Sequence, residues 1–163
     1  MLTIRRLCAG DVPAAVAIVR ASPDFFTDDV PGHVERDCAR HGGWVLADSG
    51  AVADSGAVAG FAVVARKSAA GAEILWMAVD RPRRGRGHGT ALLNHALDVL
   101  AADGVSVVQV KTLDESSDYA PYRATRAFWG RKGFVHVDTI DPLPGWQPGN
   151  PAGIYVAALR PTR

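Results

Sequence analysis

Four arginines fall within six residues of a chain that is otherwise nearly neutral: Arg81, Arg83, Arg84 and Arg86. Glycines interleave with them in the run Arg84-Gly-Arg-Gly-His-Gly89. Glycine lets a backbone turn tightly and come close to a ligand with no Cβ in the way. The apolar spacing that follows opens a helix, whose free N–H groups and dipole favour an anion. These residue types point to a polyanion such as the pyrophosphate of a nucleotide carrying additional phosphate. Two familiar phosphate motifs are excluded. There is no Gly-Lys-Ser/Thr, and G-x-G-x-x-G fails in both frames, because Gly85-x-Gly87 reaches Thr90 and Gly87-x-Gly89 reaches Leu92.

The other reactive side chains are dispersed. His88 and His95 share a helix face, but seven residues separate them by about 10 Å, too far to chelate one ion. His33, Cys38 and His41 lack a facing cluster, so no metal is expected. Cys8 and Cys38 have no C-x-x-C spacing and are expected as free thiols.

The elements that must position the turn follow from periodicity. At 163 residues, 48% apolar and 21% charged, the chain suits one domain over 1–163 with a packed core. The net charge of +1 argues against a whole-surface nucleic-acid binder, and the arginine turn lacks aromatic interleaving. No apolar run is long enough to span a bilayer. Arg5-Arg6-Leu7-Cys8 is followed by Asp11 and Pro13 rather than an apolar segment, so it reads as mature sequence and a cytoplasmic location is expected.

Strands are expected at Leu2–Leu7, Trp44–Ala47, Ala57–Arg66, Ala72–Val79, Val105–Lys111, Val135–Ile140 and Ile154–Leu159. Helices are expected from an Asp11 cap onward, at Val30–His41, His88–Ala102 and Tyr122–Lys132. That order describes a single mixed α/β domain. Between the second and third strands, Ala47-Asp-Ser-Gly-Ala-Val52 repeats without change as Ala53-Asp-Ser-Gly-Ala-Val58. Six added residues preserve the in/out alternation of both strands, as in a lengthened surface hairpin.

In this context the turn resembles the GNAT superfamily of acyl-CoA-dependent N-acyltransferases. The family's R/Q-x-x-G-x-G/A signature matches Arg84-x-x-Gly87-x-Gly89 directly after a strand ending Met77-Ala78-Val79. The later Arg126-Ala-Phe-Trp-Gly-Arg-Lys-Gly-Phe134 is similar to the second cofactor-side helix of that family, and the element order covers essentially the whole chain. The resemblance implies a mixed sheet of about seven strands flanked by about four helices and splayed between the fourth and fifth strands. It implies acetyl-CoA held by Met77, Ala78 and Val79 along the pantetheine arm, and by Arg84, Gly85, Arg86, Gly87, His88, Gly89 and Thr90 at the pyrophosphate. No cysteine lies in these motifs, so direct transfer to a primary amine in a ternary complex is implied rather than an acyl-enzyme.

Glu73, on the strand leading to the turn, looks like the catalytic base of the histone-acetylating branch, and is the first candidate to take the amine proton. Asp114, Glu115 and Asp118 stand where other branches place a base, but as a loop acid run they are expected to be solvated. Family members commonly carry a tyrosine four residues before the Gly of Gly-Phe, placed to protonate the leaving thiolate. Here that position is Trp129, whose indole cannot give up a proton at neutral pH. Tyr122, seven residues earlier and roughly 10 Å away along the axis, is the weaker substitute. This departure is what supports the alternative reading, an acyl-CoA-binding sensor or structural module with little turnover. Phe25, Phe26 and Trp146 are candidates to line the acceptor pocket, and Asp24, Asp28 and Asp29 to attract a cationic amine. The acceptor itself and a homodimer are left open.

Overall fold

The computed structural model describes residues 1–49 and 58–160. The duplicated hexapeptide therefore lies largely outside the described residues. Seven strands form one sheet in the order β1-β2-β3-β4-β5-β7-β6. They are β1 (Leu2–Arg6), β2 (Gly42–Asp48), β3 (Val58–Arg66), β4 (Gly71–Val79), β5 (Val107–Leu113), β6 (Val135–Ile140) and β7 (Ala152–Ala158). Four helices join them: α1 (Val12–Arg20), α2 (Val30–Arg40), α3 (His88–Ala102) and α4 (Tyr122–Arg131). Every neighbouring pair is antiparallel except β4 and β5, which are joined through α3 and run parallel.

Each helix shows the sheet one apolar stripe. Val16 and Val19 of α1, with Val34 and Cys38 of α2, pack on Val45, Phe61 and Val63. Leu92, Leu93, Ala96 and Leu100 of α3, with Trp129 of α4, pack on the opposite face against Ile74, Val108 and Val110. Full burial of such aliphatic side chains contributes about 1.5–3 kcal/mol each. Gly43 is needed for close approach: a Cβ there would lie 2.0 Å from the carbonyl oxygen of Ala62 on β3.

Most expected elements are found within two residues of their expected ends. β5 starts two residues later than expected because the amide of Val105 bonds back to the carbonyl of Leu100, closing the end of α3. Asp11 precedes α1 as expected but does not cap it. Its carboxylate is buried and takes both terminal nitrogens of Arg5 at 2.7 Å, together with the amide of Cys8 at 2.9 Å. Burial alone would raise its pKa, but the Arg5 and Cys8 hydrogen bonds win and hold it below the ordinary 3.8. The pair ties β1 to the start of α1.

Asp11→Asn is expected to destabilise the fold by about 2–4 kcal/mol, near the lower part of the range for broken buried pairs because Arg5 is partly solvated. Urea unfolding measures this, and a loss under about 0.5 kcal/mol would contradict it. Because the folded pKa is depressed, the contribution is fully present above about pH 4 and is lost as pH falls through the folded value.

Candidate active site

β4 and β5 pair over only four positions, from Gly71↔Val107 to Ile74↔Val110. Beyond Ile74 the strands diverge, and the remaining edge of β4 has no strand partner. A bulge marks the same point: Val63 of β3 faces Trp76 while Val64 faces Ile74, leaving Leu75 over. The extra residue resets the alternation of the strand. Ile74 packs with the α3/α4 core, whereas the consecutive Leu75 and Trp76 both pack on the α1/α2 side.

After the bulge, the amide of Asp80 bonds to the carbonyl of Ala59 on β3. Antiparallel alternation then turns Ala78 toward β3 and turns Met77 and Val79 toward the open edge. Met77 and Val79 thus direct their backbone groups to the open edge, where the resemblance places the pantetheine arm. Ala78 does not: it pairs with Phe61 and its methyl is buried. The Val79 carbonyl is already taken by Arg84 Nε at 2.8 Å, which leaves its N–H.

The glycine turn runs from this edge into α3. Gly85 and Gly87 have φ of +74° and +81°, a conformation L side chains rarely adopt, and Gly87 sits just before the first residue of α3. Neither glycine is needed for space, since an added Cβ would meet nothing within 4 Å. Gly89 has ordinary φ, and its Cβ would make normal contact with Val79 and Phe128. The N–H groups at the start of α3 have no intrahelical partners, so the turn offers donors and a positive dipole to an anion.

The arginines are less available than their clustering suggests. Arg81 pairs with Asp24 at 2.6 Å and Arg83 with Asp48 at 3.6 Å. Arg84 also bonds the buried Ser22 hydroxyl at 2.6 Å and lies over the Phe25 ring. Burial and the neighbouring Arg81 lower its pKa. Arg84 is therefore a brace for the turn. Arg86 alone of the four is without a hydrogen bond or ion pair among the described residues.

The divergence of β4 and β5 opens a cavity of about 470 Å³ on the α2 side. Its floor is Glu73 to Met77 and Val110 to Thr112, and its walls are α2, the 25–29 link, α4 and the 144–150 loop. Phe25, Phe26 and Trp146 line it. Glu73 is 3% exposed, with Lys111 Nζ 3.0 Å from Oε1 and Lys67 Nζ 3.5 Å from Oε2. Its Oε2 is buried yet has no hydrogen-bond partner.

Tyr122 and Trp129 line the same cavity. The Tyr122 hydroxyl donates to the Phe25 carbonyl, and burial pushes its pKa up to about 12. Trp129 packs edge-on to Phe128 and Phe134 in the core. The acidic cluster after β5 is not uniformly solvated. Asp114 is buried and accepts from Ser116 and Thr139, which keep its pKa below the usual value despite burial. It lines a separate open concavity with Arg126 and His136 rather than the cavity of Glu73. Of the three aspartates expected to attract a cationic amine, Asp29 lines that cavity, whereas Asp24, paired with Arg81, and Asp28 do not.

Comparison with known proteins decides the family. The sequence model of the acetyltransferase (GNAT) family matches residues 15–134. The chain belongs to the GNAT acetyltransferases. No curated protein matches it. Among solved structures it is similar to the ribosomal-protein-S18-alanine N-acetyltransferase of Escherichia coli, with TM-score 0.76 and 23% identity over 100% of this chain and 97% of that one. It is also similar to Ard1 of Thermoplasma volcanium, with TM-score 0.75 and 21% identity over 98% of each chain. A third likeness is a GNAT acetyltransferase of Elizabethkingia anophelis with acetyl-CoA bound, with TM-score 0.72 and 15% identity over 97% of this chain and 98% of that one.

Within this GNAT fold, sequence reasoning missed Lys67 and Lys111 beside Glu73, and the bond from Trp76 Nε1 to Asp37 at 2.8 Å. The lysines carry no motif. Only the strand register places Lys111 one residue past the last β4–β5 pair.

The hydroxyl of Tyr122 ties α4 to the 25–29 link. Tyr122→Phe is expected to cost about 1 kcal/mol or somewhat more, since a partly buried carbonyl loses its donor. In a spectrophotometric titration one phenol should stay protonated until about pH 12 in the parent and be missing from the variant. Complete phenol ionisation by pH 11 with the fold intact would contradict this.

Proposed function

We propose that this protein transfers an acetyl group from acetyl-CoA to a primary amine by direct attack within a ternary complex, with Glu73 as the base. The observation that carries the reading is the pairing of an open β4 edge with a buried, unbonded carboxylate oxygen at the same splay. A strand edge with unpaired backbone groups suits an amide-bearing arm, here through the groups of Met77 and the N–H of Val79. The N–H groups of Gly85 to Thr90 suit the pyrophosphate, with Arg86 free to add charge. Acetyl-CoA, when bound, supplies the activated thioester.

The amine nitrogen must be neutral to attack the thioester carbonyl. The acceptor enters as the neutral amine; as the new C–N bond forms, its nitrogen gives one proton to Glu73 Oε2 directly or through one water, and the C–S bond breaks to release the thiolate. Lys67 and Lys111 hold the carboxylate in place from both sides. A thiol has a pKa of about 8.5, so the thiolate leaves near neutrality with little help from an acid. Trp129 in place of a tyrosine is compatible with turnover for that reason. Neither cysteine lines the cavity, and burial pushes the Cys38 thiol up to about 11, so a covalent acyl-enzyme is not part of the proposal.

Two measurements test this reading. Glu73→Gln should lower kcat by about 10²-fold or more with little change in acetyl-CoA affinity. A rate within threefold of the parent would move the base elsewhere. For the anion turn, a substitution at Gly87 is unsuitable because its positive φ would strain the fold whatever the ligand does. His88→Glu is the cleaner variant. A carboxylate in the first turn favours the helix dipole, so the apo melting temperature should hold or rise slightly. The thermal shift with acetyl-CoA should nevertheless be lost to like-charge repulsion, and an undiminished shift would remove the turn from the cofactor site.

A further inference from the structure

The hydrogen-bond economy of the cavity wall indicates which amine it accepts, given the acetyl-transfer reading above. Three carboxylates line the cavity: Asp29, Asp37 and Glu73. Asp29 accepts from Thr27 Oγ1 at 2.6 Å and faces His33 Nε2 at 3.3 Å, with Gln147 as a further donor. Asp37 accepts from Trp76 Nε1 at 2.8 Å and faces Arg36 Nε at 3.5 Å. Glu73 Oε1 is taken by Lys111. Two carboxylate oxygens of the wall have no hydrogen bond and no cation nearer than 3.5 Å among the described residues, Asp37 Oδ1 facing Arg36 and Glu73 Oε2 facing Lys67, and of these only Glu73 Oε2 is buried.

The cations are in the opposite condition. Arg36 carries five N–H donors and is 58% exposed, and its contacts are one Nη to His33 Nδ1 at 3.0 Å and the long approach to Asp37. Lys111 carries three donors, of which one is used on Glu73. The wall therefore has few unbonded acceptors and a surplus of donors for an anion. A second or third ammonium on the acceptor would meet carboxylates that already face Arg36, His33 or a lysine.

We propose that the acceptor is a primary amine carrying its own carboxylate and a large apolar side chain, as in an amino acid. The amine goes to Glu73 Oε2. Lys111 Nζ lies 3.0 Å from the other oxygen of Glu73, so a carboxylate one carbon from the amine reaches it, with Arg36 on the α2 wall as the second cation. The side chain lies against Phe25, Phe26 and Trp146, all half-buried and facing the cavity. Planar apolar surfaces of this kind favour aromatic or branched aliphatic groups.

The test uses thiol release from acetyl-CoA with phenylalanine, tryptophan and leucine, each beside its amide, and with spermidine. At least one free acid should exceed its own amide by tenfold or more in kcat/KM, and spermidine should be the poorest acceptor. The acid-to-amide ratio should fall at least fivefold in Arg36→Gln or in Lys111→Gln, chiefly through the KM of the acid. Amides or spermidine used as well as the acids would overturn the proposal, as would a ratio unchanged in both variants. No turnover with any of these amines, while acetyl-CoA still raises the melting temperature, would also overturn the acceptor class. Absence of any acetyl-CoA thermal shift would instead remove the acetyl-transfer reading on which it rests.

Discussion

Parallel pairing of β4 with β5 ends after four residue pairs, and the rest of the site depends on that ending. Had the two strands stayed paired to their ends, Met77 and Val79 would have spent their backbone groups on β5. Divergence is maintained because β5 is held on its other side by antiparallel pairing with β7 along all seven of its residues. β4 is similarly held by β3 to its last residue. The sheet thus opens between two well-anchored halves, and helices α3 and α4 bridge the gap on the opposite face with a continuous apolar core.

The bulge at Leu75 makes the opening chemically useful. Without the extra residue, alternation from Glu73 would point Trp76 toward the α3/α4 core and Met77 toward α2. With it, Trp76 reaches Asp37 on α2, and Met77 and Val79 keep their open-edge orientation. One inserted residue therefore sets which side chains face the cavity and which backbone groups face the open edge.

Much of this was legible in the sequence where local chemistry decides the outcome. Gly104 and Gly133, both with positive φ, end α3 and α4 close to where their spacing requires. Gly87 marks the start of α3 for the same reason. The Arg/Gly turn and the Trp129 departure were also readable, because both are departures or matches in a short contiguous motif. The bulge was not readable, since an apolar strand buried on both faces carries no alternation to interrupt. The availability of the arginines was also hidden: Asp24 and Asp48, which engage two of them, come from segments far away in the chain. Burial of Asp114 likewise depends on Thr139, 25 residues later.

The same long-range contacts connect the two halves of the site. Arg84 leaves the phosphate turn to bond Val79 at the end of β4 and Ser22 after α1, and its guanidinium covers Phe25. The carbonyl of Phe25 accepts from Tyr122 on α4, and Asp24 beside it pairs with Arg81. The link that walls the cavity is therefore fastened at both sides to elements of the proposed cofactor site. Removing Arg84 would free the Val79 carbonyl and the Ser22 hydroxyl together, so its loss cannot act on the turn alone. A guanidinium with a burial-lowered pKa is still charged at neutral pH. Its contacts hold the edge of β4, the glycine turn and the cavity wall in one fixed relation, which the proposed direct transfer between two bound substrates would require.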